Sequence, residues 1–140
     1  MTAHSTQIPL ATFTSGEDLN DAGTAIDVTN GMYIDLTSTA IPAANGAEDL
    51  LLYVTNTYSG GVGVVTVKAG VGGGATAGAA MRSGLGDHTS GNLTASTGTA
   101  FIGPFDSMRF MQSSGKLYLD FSASMTGKIY ALLIPRQPQI

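Results

Sequence analysis

The sequence predicts a single all-β domain, a jelly-roll-like β-sandwich of about eight short antiparallel strands. Three observations predict this class. The 140 residues are the length of one domain. Nineteen glycines and five prolines argue against long helices. The residue types Thr, Val, Ile, Tyr and Phe cluster in short runs between turn residues, which is typical of strands.

The elements follow in order along the chain. Residues 1–23 show no sustained period and are predicted to form an extended N-terminal arm, which leaves 24–140 as the sandwich domain. Only residues 43–50 could hold a helical turn. The Gly- and Ala-rich residues 70–97 are predicted to be a long loop against which another surface packs, since small side chains bury little area. The candidate strands are 24–29, 31–36, 49–57, 62–69, 98–103, 108–112, 116–121 and 127–134.

The first two strands are predicted to form a hairpin. A three-residue loop ending at Gly31 pairs Val28 with Met32 and Ile26 with Ile34, which keeps one face apolar. Gly31 would supply the left-handed backbone conformation that such a loop requires.

A second hairpin is predicted around Ser114 and Gly115. This turn brings apolar residues together on one face and places Arg109 opposite Asp120 on the other. A slip of one residue would set both charges against apolar neighbours, so charge pairing and apolar pairing favour the same register.

The last strand, 127–134, is apolar on both faces and is therefore predicted to be covered on both sides. Its two sets of alternating residues are Ile129, Ala131 and Leu133 on one face and Tyr130, Leu132 and Ile134 on the other.

Composition excludes several classes of function. The net charge is −4 and the basic residues are scattered, so no basic stripe is present for nucleic acid or for an amphipathic membrane contact. No apolar run approaches the ~18 residues of a membrane span. Charged residues make up 11% of the chain against a usual ~25%, which favours a surface partly covered by other subunits.

No catalytic, cofactor or metal site is predicted, and no small-molecule substrate. The glycine-rich tract lacks the spacing of a phosphate-binding loop, and the chain has no cysteine. Asp87, His88 and Ser90 resemble a hydrolytic triad in composition only, because neighbours on one loop rarely orient one another. His4 and His88 share no zinc-site spacing.

Two runs resemble small accessory structural proteins of tailed bacteriophages. TAFIGPFDSMRFMQSSGKLYLDFSASMTGKIYALLIPR is similar to their C-terminal half, in which a GPF-like corner precedes a strand, a polar-Gly turn, an LYLDF-like strand and a final LIPR-like strand. LLLYVTNTYSGGVGVVTVKAG is similar to their central hairpin. The resemblance covers about residues 49–136 and contains no catalytic motif.

The resemblance implies a non-enzymatic head decoration (cement) protein. Such a protein would form a homotrimer, bind the outside of the major capsid protein lattice and stabilise the head. It would be made in the cytoplasm of the host bacterium and reside on the outer capsid surface of the virion. Two alternatives stay open, a tail or baseplate accessory protein and a glycan-binding or adhesion sandwich.

Two stretches are predicted to contact the capsid or neighbouring subunits. An extended arm can add to a neighbour's sheet edge, and Pro9 favours an edge position. Removal of 1–15 is then expected to leave the sandwich folded and to weaken attachment. The predicted contact residues are Ile8, Pro9, Leu10 and Phe13 in the arm and Tyr130, Leu132 and Ile134 in the last strand.

Overall fold

The computed structural model describes residues 3–12, 22–37, 49–70, 85–112 and 114–134. This part of the chain contains ten strands and one helical turn, and the all-β class is as predicted. The elements are β1 (Thr6–Gln7), β2 (Leu10–Thr12), β3 (Thr24–Ala25), β4 (Met32–Asp35), β5 (Leu50–Asn56), β6 (Val65–Val67), β7 (His88–Thr89), β8 (Gly98–Ile102), α1 (Ser107–Phe110), β9 (Lys116–Phe121) and β10 (Lys128–Leu133).

The strands form two sheets. Sheet I has the order β1-β4-β9-β6-β7, and sheet II has the order β2-β10-β5-β8. β3 also pairs with β10, beside β2 and on the side of β10 away from β5. The pairs β1–β4 and β2–β10 are parallel and the other pairs are antiparallel, so the expected wholly antiparallel arrangement is corrected to two mixed sheets.

The core lies between the two sheets and is built by alternation along the longer strands, with Leu132 of β10 buried in addition. In β5, β9 and β10 every second residue is buried, because successive side chains of a strand point to opposite faces. Fully buried residues come from both sheets: Met32, Ile34, Val65, Val67, Leu117 and Leu119 from sheet I, and Leu50, Leu52, Val54, Ile129 and Ala131 from sheet II.

The N-terminal arm is extended over its described residues, and it packs on its own chain. Its β1 lines the edge of sheet I and its β2 lines the edge of sheet II. Between them Ile8 is 1% exposed and donates its backbone N–H to Tyr33 O at 2.9 Å. The arm therefore fills part of the core, so we expect removal of residues 1–15 to destabilise the sandwich, whereas the sequence led us to expect a folded sandwich with weakened attachment.

The first predicted hairpin is wrong. β3 belongs to sheet II and β4 to sheet I, so residues 26–31 cross from one sheet to the other. Asp27 organises this crossing: its backbone O accepts from the Gly31 N–H and its carboxylate from the Asn30 N–H. Gly31 has φ +71°, as predicted. The hairpin prediction failed because the same apolar pattern fits two strands paired in a hairpin and two strands that face each other across a sandwich core.

The second predicted hairpin is also wrong. Residues 107–110 form the helical turn α1, and only one isolated bridge joins Met111 to Leu117. Phe105 and Phe110 pack edge to face with 5.7 Å between ring centroids, and both are buried. Two residues five apart bring their rings together only if the chain between them turns, so this packing favours the helical turn over a strand.

The last strand is only partly covered on its outer face. Leu132, on that face, is 5% exposed, whereas Ile134 is 45% exposed, so the prediction that both faces are covered holds for Leu132 but not for Ile134. The possible helical turn at 43–50 lies outside the described residues except for its last two. The predicted loop 70–97 is described only at Gly70 and over 85–97, where it contains β7.

Candidate functional site

The outer face of sheet I carries charged and polar side chains. His4 stacks on the Tyr118 ring with 4.3 Å between ring centroids, and its Nε2 lies 2.8 Å from Asp120 Oδ1. Lys68 Nζ lies 2.6 Å from Asp87 Oδ2 and 3.9 Å from Asp120 Oδ2. An aromatic stack and a charged network thus fix the arm to this face.

The partners in this network favour each other's charged forms. The hydrogen bond to Asp87 raises the pKa of Lys68 above its usual range. Partial burial acts to raise the pKa of Asp87, but the Ala69 backbone N–H and the Lys68 ammonium outweigh it, so this pKa lies below its usual value. Both groups remain charged at neutral pH, and this face is a solvated one.

The outer face of sheet II carries a row of aromatic side chains across three strands. Tyr130 of β10 lies opposite Tyr53 of β5, which lies opposite Phe101 of β8. The ring centroids are 5.6 Å apart for the first pair and 4.8 Å apart for the second. We call these three residues the aromatic row.

Two further rows flank the aromatic row, and the three rows together carry one charge, on Lys128. Register places the flanking residues as Ala11, Leu132 and Leu51 on one side and Lys128, Thr55 and Thr99 on the other. The two outer faces therefore differ in kind, since the outer face of sheet I is charged and that of sheet II is almost uncharged.

Phe101 is the most exposed member of the aromatic row. The Tyr130 ring packs against Gly23, where an added Cβ would lie 2.7 Å from the ring. Tyr53 is half-buried between its two aromatic neighbours, and Phe101 is 66% exposed. β8 pairs only with β5 in the described ranges, so Phe101 stands at an open edge of sheet II.

A cleft with a cavity volume of about 380 Å³ lies beside β8. Arg109 lines it, but its guanidinium donates to Gly86 O at 3.0 Å and to Asp87 O at 3.2 Å and lies over the Phe110 ring. Arg109 thus ties two loops together and does not pair with Asp120, so the predicted Arg109–Asp120 pair is wrong. The apolar wall of the cleft consists of Leu85, Ile102, Phe105 and Phe110.

Asp87 and Ser90, two of the triad-like residues, make hydrogen bonds that hold neighbouring segments together. Asp87 accepts from Lys68 and from the Ala69 N–H at 2.7 Å. Ser90 Oγ accepts from the Val65 N–H at 3.0 Å and donates to Gly91 O. These bonds hold β7 against β6, and no cluster of metal-ligating side chains occurs within the described ranges.

The predicted contact residues fall into three groups. Ile8 is inside the core of its own chain and Leu10 packs against that core, so neither is presented to a neighbour. Pro9 is exposed, and Phe13 lies outside the described residues. The three from the last strand, Tyr130, Leu132 and Ile134, share the outer face of sheet II, where Ile134 is 45% exposed.

Sequence reasoning missed Tyr53 and Phe101. Alternation along β5 and β8 puts Tyr53 and Phe101 on the face away from the buried residues. Only the register between β5, β8 and β10 shows that they lie beside Tyr130. That register is not encoded in the spacing of any one strand.

Comparisons with known protein families, curated proteins and solved structures find no match to this chain. No helix in the described part of the chain is long and apolar enough to cross a membrane.

Proposed function

We propose that this protein is a non-enzymatic structural subunit of a tailed-bacteriophage head, a decoration (cement) protein that binds the outside of the major capsid lattice as a trimer and stabilises it. The observation that carries the proposal is the contrast between the two outer faces. Sheet I presents charge to solvent, whereas the aromatic row of sheet II and its two flanking rows contain one charged residue, Lys128.

The sandwich also suits a mechanical role. The inner strands β4, β6 and β9 of sheet I and β5 and β10 of sheet II are held on both sides, and the arm adds a strand to each sheet. Load applied to such a layer is shared among many backbone hydrogen bonds. The sequence resemblance over residues 49–136 supports a structural protein of a tailed bacteriophage, and a tail or baseplate component of the same fold is the alternative to a head protein.

The exposed end of β10 is the part of sheet II that we assign to the particle. Ile134 continues the outward-facing set of Tyr130 and Leu132 and is 45% exposed. An apolar side chain at such a position can enter a pocket on a partner, where burial contributes about 25 cal/mol per Å².

Co-expression with the major capsid protein of the encoding phage tests this function. Shells purified by sedimentation should carry the protein and resist heating better than undecorated shells. Ile134→Lys should reduce the bound amount, while Val62→Lys, which changes another exposed apolar residue in the β5–β6 loop, should leave it unchanged. Shells that sediment without the wild-type protein would overturn the proposal.

A glycan-binding role is a second candidate because aromatic rings on a flat sheet can stack on sugars. The Tyr53 ring, however, is tilted by 37° to Phe101 and by 44° to Tyr130, so the rings pack on each other instead of forming one platform. The flanking rows offer only Thr hydroxyls and Lys128 for sugar hydroxyls. Quenching of tyrosine fluorescence by oligosaccharides would favour this candidate over the structural one.

A further inference from the structure

We propose that the edge of β8 that faces away from β5, which pairs with no other strand among the described residues, is together with Phe101 the contact between copies of this chain. The inference rests on the proposed function only for the claim that the protein assembles. It deepens that function by assigning self-association to one edge of sheet II.

β8 differs from the other edge strands in its length. β8 spans five residues, Gly98–Ile102, with no charge and no proline. The other edge strands are shorter: β1, β3 and β7 have two residues each and β2 has three. Proteins that stay apart usually protect a long edge strand with Lys, Pro or a bulge, because its unpaired N–H and C=O groups bind other strands.

Exposed apolar side chains lie on β8 and next to it. Phe101 and Leu85, the two most exposed large apolar side chains of the described chain, are both 66% exposed. Leu85 lines the same cleft as Ile102, the last residue of β8, and the lining also includes Asp106 and Arg109. A second chain placed against β8 would therefore cover a backbone edge, an aromatic side chain and the apolar wall of the cleft.

The charge distribution favours a second copy of this chain as the partner. The chain carries a net charge of −4, so two copies approach most readily where acidic side chains are few. Asp35 and Asp120 project from the outer face of sheet I, whereas neither β8 nor the three rows of sheet II contains an acidic residue.

Analytical ultracentrifugation of three full-length proteins tests this contact. Wild-type protein should sediment as an oligomer, and Phe101→Lys should raise the dissociation constant about 30-fold or more, as expected for an aromatic anchor. Val62→Lys is the matched control, because it places the same charge on an exposed apolar residue outside sheet II, and it should match wild type. Phe101→Ala should also raise the dissociation constant, but by less than Phe101→Lys.

Backbone hydrogen exchange gives a second measurement that does not depend on a variant. Amides of residues 99–102 should exchange more slowly as the wild-type concentration rises. Equal dissociation constants for Phe101→Lys and wild type, or a wild-type monomer at every concentration, would overturn the contact. A dimer in place of a trimer would support the β8 contact but contradict the trimeric state in the proposed function. Self-association without binding to shells would likewise support the β8 contact but contradict the proposed capsid-binding role.

Discussion

The most informative single change in the arm is Ile8→Ala. Ile8 is 1% exposed between the two sheets, and it takes this buried position only if β1 and β2 pair with the sheets as described. The substitution removes three carbon atoms, about 2.4 kcal/mol at ~0.8 kcal/mol per buried methylene. The unfilled cavity adds to this, so the free energy of unfolding should fall by about 3–4 kcal/mol.

Ile134→Ala is the matched control, since it makes the same chemical change at a side chain that is 45% exposed. Its cost should be about 1 kcal/mol or less, because much of the side chain already contacts water. Urea unfolding monitored by tyrosine fluorescence measures both values, with an unchanged denaturant slope as the sign of an intact two-state transition. Equal costs for the two variants would refute the assignment of the arm to the core.

Two further predictions concern polar groups that hold the turns. Asn56 is buried, and its Nδ2 donates to Leu93 O at 3.1 Å and lies 3.3 Å from Thr94 O, so Asn56→Asp should destabilise by about 3 kcal/mol at pH 7. The carboxylate would face carbonyl oxygens, which raises its pKa, so urea unfolding should show a smaller loss at pH 4. Asp27 has its pKa lowered from 3.8 to about 2, chiefly by the Thr6 hydroxyl, so its stabilising contribution is present above pH 4 and is lost as the pH falls through about 2. Thr6→Val should raise this pKa in an NMR titration of the Asp27 carboxyl; an unchanged midpoint would contradict the assignment.

Much of the fold could be predicted because the longer strands alternate without interruption. β5, β9 and β10 lie within one residue of the predicted 49–57, 116–121 and 127–134. Their apolar residues are large and regularly spaced, so burial on one face decides both the element and its orientation. The same reasoning correctly placed Met32 and Ile34 inside.

The pairing of strands could not be predicted in the same way. Alternation indicates which residues are buried but not which sheet a strand joins, and this led to the wrong hairpin at Gly31. Strands of two or three residues, such as β1, β2 and β7, are too short to show a period. At 107–110 the packing of Phe105 on Phe110 outweighed the local strand-like pattern.

The candidate surface was only partly accessible from the sequence. The two-sided apolar character of β10 indicated the outer face of sheet II, and Tyr130 and Leu132 do lie there. Phe101 was missed because its importance comes from its position at an open edge, which depends on the order of strands in the sheet.

Electron cryo-microscopy of intact particles of the encoding phage would show whether the protein decorates the head. We expect density for a trimer of the 14.2 kDa chain on the outer surface of the head, in contact with neighbouring major capsid subunits. The outer face of sheet II should lie in the contacts, and the charged outer face of sheet I should point to solvent. Density for this protein in the tail or inside the head, or its absence from the particle, would contradict the account.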